Sequence, residues 1–162
     1  MGLEEFLEGR EVKAVELLKK NNIIITTAES CTGGLIAASI VNVSGASNIF
    51  KQGFITYSDE TKESLIGVSK DIIDKYKAVS DKTAAAMAEC AARKADSQMA
   101  VSVTGVAGPS MEDGKPVGLV YVGLYYNGNT YVSENNFKGD RKAVRYQAVK
   151  KAFDMIIDTL SA

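Results

Sequence analysis

Two segments of the chain combine residue types that could supply a nucleophile and a base. The first, residues 28–34, holds Ser30 as a candidate nucleophile, followed by Thr32, Gly33 and Gly34. Glycine lets a substrate approach the backbone, and N–H groups in the first turn of a following helix could stabilise an oxyanion. Alternatively, Ser30 or Thr32 only caps that helix and the glycines only permit close packing. The segment by itself leaves both interpretations open.

The second segment, residues 54–62, places Tyr57 at the end of a predicted strand and Lys62 on the helical turn that follows. The chain has no histidine, so a nucleophilic serine needs another base. A lysine can serve if burial or a nearby cation lowers its pKa by about 3 units from about 10.4, and Tyr57 could relay the proton or orient the lysine. Alternatively, Lys62 is exposed and pairs with Asp59, and Tyr57 fills core space. The spacing does not decide between these readings.

A third segment, residues 102–109, ends another predicted strand in backbone with little side-chain cover. The N–H groups near Thr104, Gly105 and Ala107 could hold a phosphate or complete an oxyanion hole. A tight structural turn would explain the same glycines. Neither the phosphate-loop pattern GxxxxGK[ST] nor the dinucleotide pattern GxGxxG occurs in the chain. The usual signatures of nucleoside triphosphate and dinucleotide binding are therefore missing.

The start of the last predicted helix offers a fourth feature. Asp140 can cap this helix, and Arg141 and Arg145 then lie on one side of it, where a phosphate could pair with them. Exposed arginines on helices are more often solvated than paired. Cys31 is a further candidate nucleophile, but with no histidine and no adjacent cation in sequence, a small packing residue is the favoured interpretation.

Composition excludes several classes of protein. The absence of histidine excludes Ser-His-Asp triads, Cys-His dyads and zinc sites built on histidine. Nineteen basic against twenty acidic residues leave a net charge of -1, without the basic excess that nucleic-acid binding requires. Cys31 and Cys90 are expected as free thiols in a reducing compartment. No run approaches eighteen apolar residues and the N-terminus is unlike a signal peptide, so we expect a cytoplasmic protein without membrane contact.

The order of predicted elements indicates how these segments are positioned. At 162 residues and 46% hydrophobic, the chain is expected to form one domain over residues 1–162. Helices are predicted over residues 11–20 with a possible extension to residue 3, over 32–42, 58–67 and 81–94, and from 140 onward. Ser58, Ser69 and Ser80 are predicted as helix N-caps, and Gly67 as a helix end. Strands are predicted over 23–27, 53–57, 99–104, 119–126 and 131–137. Early strands separated by helices, then a hairpin around Asn127-Gly128, predict an α/β fold. It is a three-layer α/β/α sandwich with a mixed, mostly parallel sheet and one antiparallel hairpin.

Several stretches in one order span almost the whole chain and carry a family resemblance. They are TTAESCTGG (26–34), VSGAS (43–47), FKQGFITYSDETK (50–62), IGV (66–68), AVS (78–80), TGVAGP (104–109), KPVG (115–118) and GDR (139–141). Together they resemble the C-terminal domain of the competence/damage-inducible protein CinA and its stand-alone relatives, the nicotinamide-nucleotide amidases. One stretch departs from the family: relatives often have a glycine pair soon after GxAGP, whereas residues 110–114 are longer and more acidic.

The resemblance implies an amidohydrolase of pyridine-nucleotide salvage. It implies that nicotinamide mononucleotide is hydrolysed to nicotinic acid mononucleotide and ammonia by a Ser-Lys pair assisted by Tyr, with no metal or cofactor. Ser30 would be the nucleophile, Lys62 its base and then the acid for ammonia, and Tyr57 the relay. N–H groups near residues 32–34 or 105–107 would hold the oxyanion, and loop backbone with Arg141 the phosphate.

The length of the chain leads us to expect a stand-alone amidase, and its aromatic strands favour a homodimer. The alternative is a catalytically inactive member of the same family that binds a nucleotide or a protein partner.

Overall fold

A central five-stranded sheet carries the helices on its two faces. The structure is a computed structural model and describes residues 1–162. The helices are α1 (Leu3–Leu7), α2 (Arg10–Lys20), α3 (Leu35–Val41), α4 (Asp59–Ile66), α5 (Lys70–Tyr76), α6 (Asp81–Ala95) and α7 (Arg141–Ser161), and a single 3-10 turn spans Ala46–Asn48. The strands are β1 (Ile25–Glu29), β2 (Phe54–Ile55), β3 (Met99–Gly105), β4 (Leu119–Tyr126) and β5 (Asn129–Asn136).

The strand order in the sheet is β2-β1-β3-β4-β5. β1 pairs in parallel with both β2 and β3, whereas β4 is antiparallel to both β3 and β5. Four of the five strands therefore point the same way, and only β4 runs against them. The predicted fold class is confirmed, and the β3–β4 pairing adds a second antiparallel pair to the predicted hairpin. The carboxyl ends of β1, β2 and β3 meet at one edge, where ligands bind in sheets of this kind.

Alternate residues of β3 supply the two faces of the sheet. Met99, Val101 and Val103 join the larger core cluster with α2, α3 and α7. Ala100 joins the smaller cluster with α6 on the other face. A Cβ at Gly123 would lie 2.8 Å from the Ala84 carbonyl oxygen of α6, so the missing side chain permits this close packing. The alanine-rich α6 thus lies close to the sheet, as its composition predicts.

The first strand is displaced by two residues from its predicted position. The Ile23 N–H donates back to the Leu18 carbonyl at the end of α2, and the Ile24 N–H donates to the Gln98 side chain. Ile23 therefore lies outside the strand ladder despite its β-branched side chain, and Ile24 joins it only through its carbonyl, which accepts the Met99 N–H at 3.1 Å. The ladder instead continues to Glu29, whose carbonyl still accepts the Thr56 N–H at 2.8 Å.

The third helix begins three residues later than predicted. Gly33 and Gly34 have φ angles of +59° and +97°, which an α-helix cannot contain. Residues 30–34 therefore form a turn between β1 and α3. The predicted extension of α2 toward residue 3 is wrong for the same reason, since Glu8 and Gly9 are left-handed and separate α1 from α2.

Several residues predicted to cap or end helices, or to form the hairpin turn, do so in the structure. Ser58 and Thr61 form a reciprocal capping box at α4, and Gly67 ends that helix at a φ of +82°. Asp140 caps α7 through the Ala143 N–H at 2.8 Å. The hairpin turn occurs at the predicted pair, with both of its residues at positive φ.

Two further caps and the two cysteines can be compared with the sequence predictions in the same way. Ser80 caps α6, whereas the predicted cap Ser69 makes no side-chain bond to α5. Cys31 and Cys90 are free thiols, as predicted. None of the helices is long and apolar enough to cross a lipid bilayer.

Candidate active site

One pocket lies at the edge of the sheet where β1, β2 and β3 end. Its walls come from the turn after β1, the start of α4, the segment before α6, the loop after β3 and the start of α7. Ser30, Tyr57 and Lys62 all line it, as do Thr104, Gly105, Ala107 and Arg141. The structure thus brings together seven of the ten candidate site residues. Thr32, Gly33 and Gly34 do not line the pocket.

Ser30 and Lys62 lie side by side at the base of this pocket. The Lys62 Nζ is 3.4 Å from the Ser30 Oγ, and Lys62 is 1% exposed. The same nitrogen lies 3.0 Å from the Thr56 carbonyl oxygen and 3.5 Å from that of Ser58. A neutral amine has two hydrogens and one lone pair. With its hydrogens on the two carbonyls, its lone pair is left for the serine hydroxyl.

Burial lowers the pKa of the Lys62 amine below its ordinary value of 10.5. The carboxylates of Asp59 and Glu112 oppose this effect by favouring the charged form. Neither carboxylate lies within 4 Å of the amine, so no ion pair holds the proton on the lysine. The alternative of an exposed Lys62 paired with Asp59 is therefore wrong.

Cys31 lines the same pocket but differs from Ser30 in its electrostatics. Burial raises the pKa of its thiol to about 12, and the positive charge of Arg145 only partly offsets this effect. Because the thiolate is the nucleophilic form of cysteine, Cys31 is unreactive at neutral pH. The structure favours the interpretation of Cys31 as a packing residue.

The turn that carries Ser30 is held by Glu29, a residue that the sequence analysis missed. The fully buried Glu29 carboxylate accepts the N–H groups of Gly34, Ile36 and Ala37 at 2.9 to 3.1 Å. It takes the role that the sequence offered to Ser30 or Thr32, neither of which caps α3. The available signal was an acidic residue at the junction between an apolar strand and a helix.

Arg145 holds the same turn from the opposite side. Its guanidinium donates to the Cys31 carbonyl at 2.8 Å and to the Thr32 carbonyl at 3.0 Å. The predicted pairing of Arg145 with a phosphate is therefore replaced by a contact within the protein. These two hydrogen bonds fix the peptide groups that follow Ser30.

The oxyanion role predicted for residues 32–34 needs correction. The Gly33 N–H donates to the Ser30 carbonyl, and the Gly34 N–H donates to Glu29. The N–H groups of Cys31 and Thr32 have no acceptor in the protein. Of these two residues only Cys31 lines the pocket, so its N–H is the candidate oxyanion donor of this turn.

The loop after β3 offers two more backbone donors. Ala107 and Gly108 line the pocket, and their N–H groups have no acceptor in the protein. Thr104 differs, because its buried hydroxyl donates to the Ala78 carbonyl at 2.8 Å and ties the neighbouring loop to β3. At Gly105 a Cβ would lie 2.7 Å from the Leu119 carbonyl oxygen, so the residue has a packing role as well.

Tyr57 and Arg141 meet at the pocket mouth. Arg141 Nη2 donates to the Tyr57 hydroxyl at 3.0 Å, and Nη1 donates to the Gly108 carbonyl at 2.6 Å. Tyr57 is 62% exposed, so the alternative of a core tyrosine is wrong. Its hydroxyl makes no hydrogen bond to Ser30 or Lys62. In this conformation it orients the arginine rather than the amine.

Comparison with known proteins identifies related sequences. The CinA C-terminal domain family matches residues 8–160. The chain is 47% identical over 150 residues to a CinA-like protein of Kosmotoga olearia, and 48% identical over 164 residues to a putative competence-damage inducible protein of Clostridium novyi. These alignments cover 92% and 96% of the chain, but 36% and 39% of the relatives. The chain thus spans little more than a third of the curated relatives it matches.

Solved structures agree with the sequence relatives. A CinA superfamily protein of Escherichia coli aligns with a TM-score of 0.91 at 32% identity and covers 94% of this chain and 90% of its own. A competence/damage inducible protein of Agrobacterium tumefaciens aligns with a TM-score of 0.91 at 34% identity and covers 97% of this chain and 96% of its own. From the sequence match and the shared fold together, the chain belongs to the CinA C-terminal domain family.

Proposed function

We propose that the chain hydrolyses the carboxamide of nicotinamide mononucleotide to nicotinic acid mononucleotide and ammonia. The observation that carries this proposal is the 3.4 Å approach of a buried lysine amine to the Ser30 hydroxyl in a pocket without histidine. An amidase needs a nucleophile, a base and oxyanion donors, and the pocket contains a candidate for each. The choice of substrate rests on the resemblance to nicotinamide-nucleotide amidases.

The reaction begins with attack of the Ser30 Oγ on the amide carbon, as the neutral Lys62 amine takes the hydroxyl proton. The N–H groups of Cys31 and Ala107 are the proposed donors to the oxyanion. Removing one such donor typically lowers kcat by about a hundredfold to a thousandfold. The protonated lysine then returns its proton to the leaving nitrogen, and ammonia departs. Water, deprotonated by the same amine, hydrolyses the acyl-serine ester.

The phosphate of the substrate would bind at the mouth of the pocket. Arg141 retains N–H groups beyond those that it donates to Tyr57 and Gly108, and the Gly108 N–H has no acceptor in the protein. Tyr57 reaches the reacting atoms only if its exposed side chain rotates. As a proton relay, Tyr57 would act only after this rotation.

The experiment that tests this function is an ammonia assay with purified protein and nicotinamide mononucleotide. Ser30→Ala should abolish release, and Ser110→Ala serves as the matched control, since Ser110 lines the pocket but makes no hydrogen bond with Lys62. Release that persists in Ser30→Ala would reject the proposed nucleophile. Thermal stabilisation by the nucleotide without ammonia would instead support an inactive nucleotide-binding domain; about 2.7 kcal/mol is expected at a hundredfold excess over Kd.

A further inference from the structure

Two carboxylates line the pocket beside Ser30 and Lys62. Asp59 opens α4 one turn before the lysine, and Glu112 reaches the pocket from the loop between β3 and β4. Neither carboxylate forms an ion pair with a lysine or arginine in the protein. Two negative charges without partners therefore face the space that the substrate must enter.

The pocket is lined by side chains of both charges. Arg141 supplies positive charge at the mouth, where it is held by Tyr57 and Gly108. Asp59 lies one turn before Lys62 on α4, and Glu112 lines the same pocket as the lysine amine. A ligand matches this lining if it carries a positive group beside its carboxamide as well as a negative group.

We propose that Asp59 and Glu112 determine specificity by selecting carboxamides attached to a positively charged ring over neutral carboxamides. This inference rests on the proposed function and deepens it. In a pyridinium carboxamide the ring carries the positive charge, and the ring is bonded directly to the amide carbon. A pose that brings this carbon to the Ser30 Oγ therefore places the positive ring in the pocket that both carboxylates line.

Two small ligands isolate the contribution of the ring charge. 1-Methylnicotinamide is a cation and nicotinamide is neutral, and both carry the same carboxamide without a phosphate. Titration calorimetry with the full chain gives a Kd for each ligand. We expect the unmodified protein to bind the cation more tightly, and Glu112→Gln or Asp59→Asn to reduce the ratio of the two affinities by roughly three- to tenfold.

A neighbouring residue provides the control. Asp113→Asn removes the same charge from the same loop, but Asp113 does not line the pocket, and its φ of +47° suits asparagine. This variant should keep the affinity ratio of the unmodified protein. Its use separates a local effect of the pocket carboxylates from a change in net charge.

The outcomes for this inference and for the proposed function are distinct. The inference is overturned if the cation does not bind more tightly, if neither pocket variant changes the ratio, or if Asp113→Asn changes it equally. Ammonia release from nicotinamide mononucleotide, measured on the same preparations, reports on the proposed function. Its absence would reject the amidase activity and leave the affinity ratio as the test of charge selection.

Discussion

Replacing Lys62 with methionine removes the amine and keeps an unbranched apolar side chain. If this amine is the base, Lys62→Met should lower kcat for ammonia release by about a hundredfold to ten-thousandfold, the usual contribution of general acid-base catalysis. In the unmodified protein, kcat/KM should rise with pH as the amine loses its proton. Because burial lowers the pKa of Lys62, this rise should be centred below pH 10.5. Lys62→Met should lack this rise of kcat/KM with pH.

The same lowered pKa predicts a change in stability with pH. Between the folded pKa of Lys62 and its unfolded value near 10.5, the unfolded chain binds the proton more tightly than the folded chain. The free energy of unfolding must therefore increase with pH across this window, by about 1.4 kcal/mol for each unit that separates the two pKa values. For a chain of this length, 1 kcal/mol corresponds to a change in Tm of about 2 to 4 °C.

Urea unfolding and ammonia release, each measured from pH 7 to pH 10, test this reasoning. The difference in unfolding free energy between the unmodified protein and Lys62→Met should grow toward alkaline pH. Lys70→Met is the control, since the Lys70 side chain is 67% exposed and Asp74 raises its pKa. A difference that stays constant with pH, together with an unaltered pH-rate profile in Lys62→Met, would refute a buried lysine base.

Three further substitutions test the residues around Ser30. Glu29→Gln should lower the free energy of unfolding by about 1 to 3 kcal/mol, because the NH2 group of glutamine would face backbone N–H groups that need an acceptor. The same variant should lower kcat more than it changes KM. Urea unfolding with steady-state kinetics checks this, and an unchanged kcat would show that Glu29 only supports the fold. Arg145→Lys loses the paired contact with the Cys31 and Thr32 carbonyls, so kcat should fall by about tenfold with little change in KM. A raised KM at constant kcat would instead assign Arg145 to the phosphate. Cys31→Ala should keep kcat within about threefold, and alkylation of the native thiol should be slow at pH 7; a loss as large as that in Ser30→Ala would contradict the packing role.

The pairing of Ser30 with Lys62 follows from the order of elements. Each residue comes shortly after a strand, and β1 and β2 are parallel neighbours, so their carboxyl ends bring both segments to one edge. This pairing needs only the element types and the parallel direction of the strands. The caps at Ser58 and Asp140 could be predicted for a similar reason, because each depends on residues within one turn.

The support of the turn after β1 depends on contacts that short-range patterns do not contain. Arg145 reaches the Cys31 carbonyl across 114 residues of chain, so the sequence reveals the arginine without its acceptor. Glu29 is an acidic residue whose burial becomes favourable only when three N–H groups from α3 surround it. The expected homodimer stays a prediction, since it also depends on contacts outside the chain.

The covalent role of Ser30 can be measured most directly by adding hydroxylamine during turnover of nicotinamide mononucleotide. An acyl-serine ester would be attacked by hydroxylamine as well as by water, which releases the free serine and a hydroxamate of the nucleotide. If Ser30 is acylated, hydroxamate should form together with nicotinic acid mononucleotide, in a proportion that rises with hydroxylamine concentration, and Ser30→Ala should form neither product. Ammonia release at the full rate with no hydroxamate at any hydroxylamine concentration, or hydroxamate formed equally well by Ser30→Ala, would rule out an acyl intermediate on Ser30.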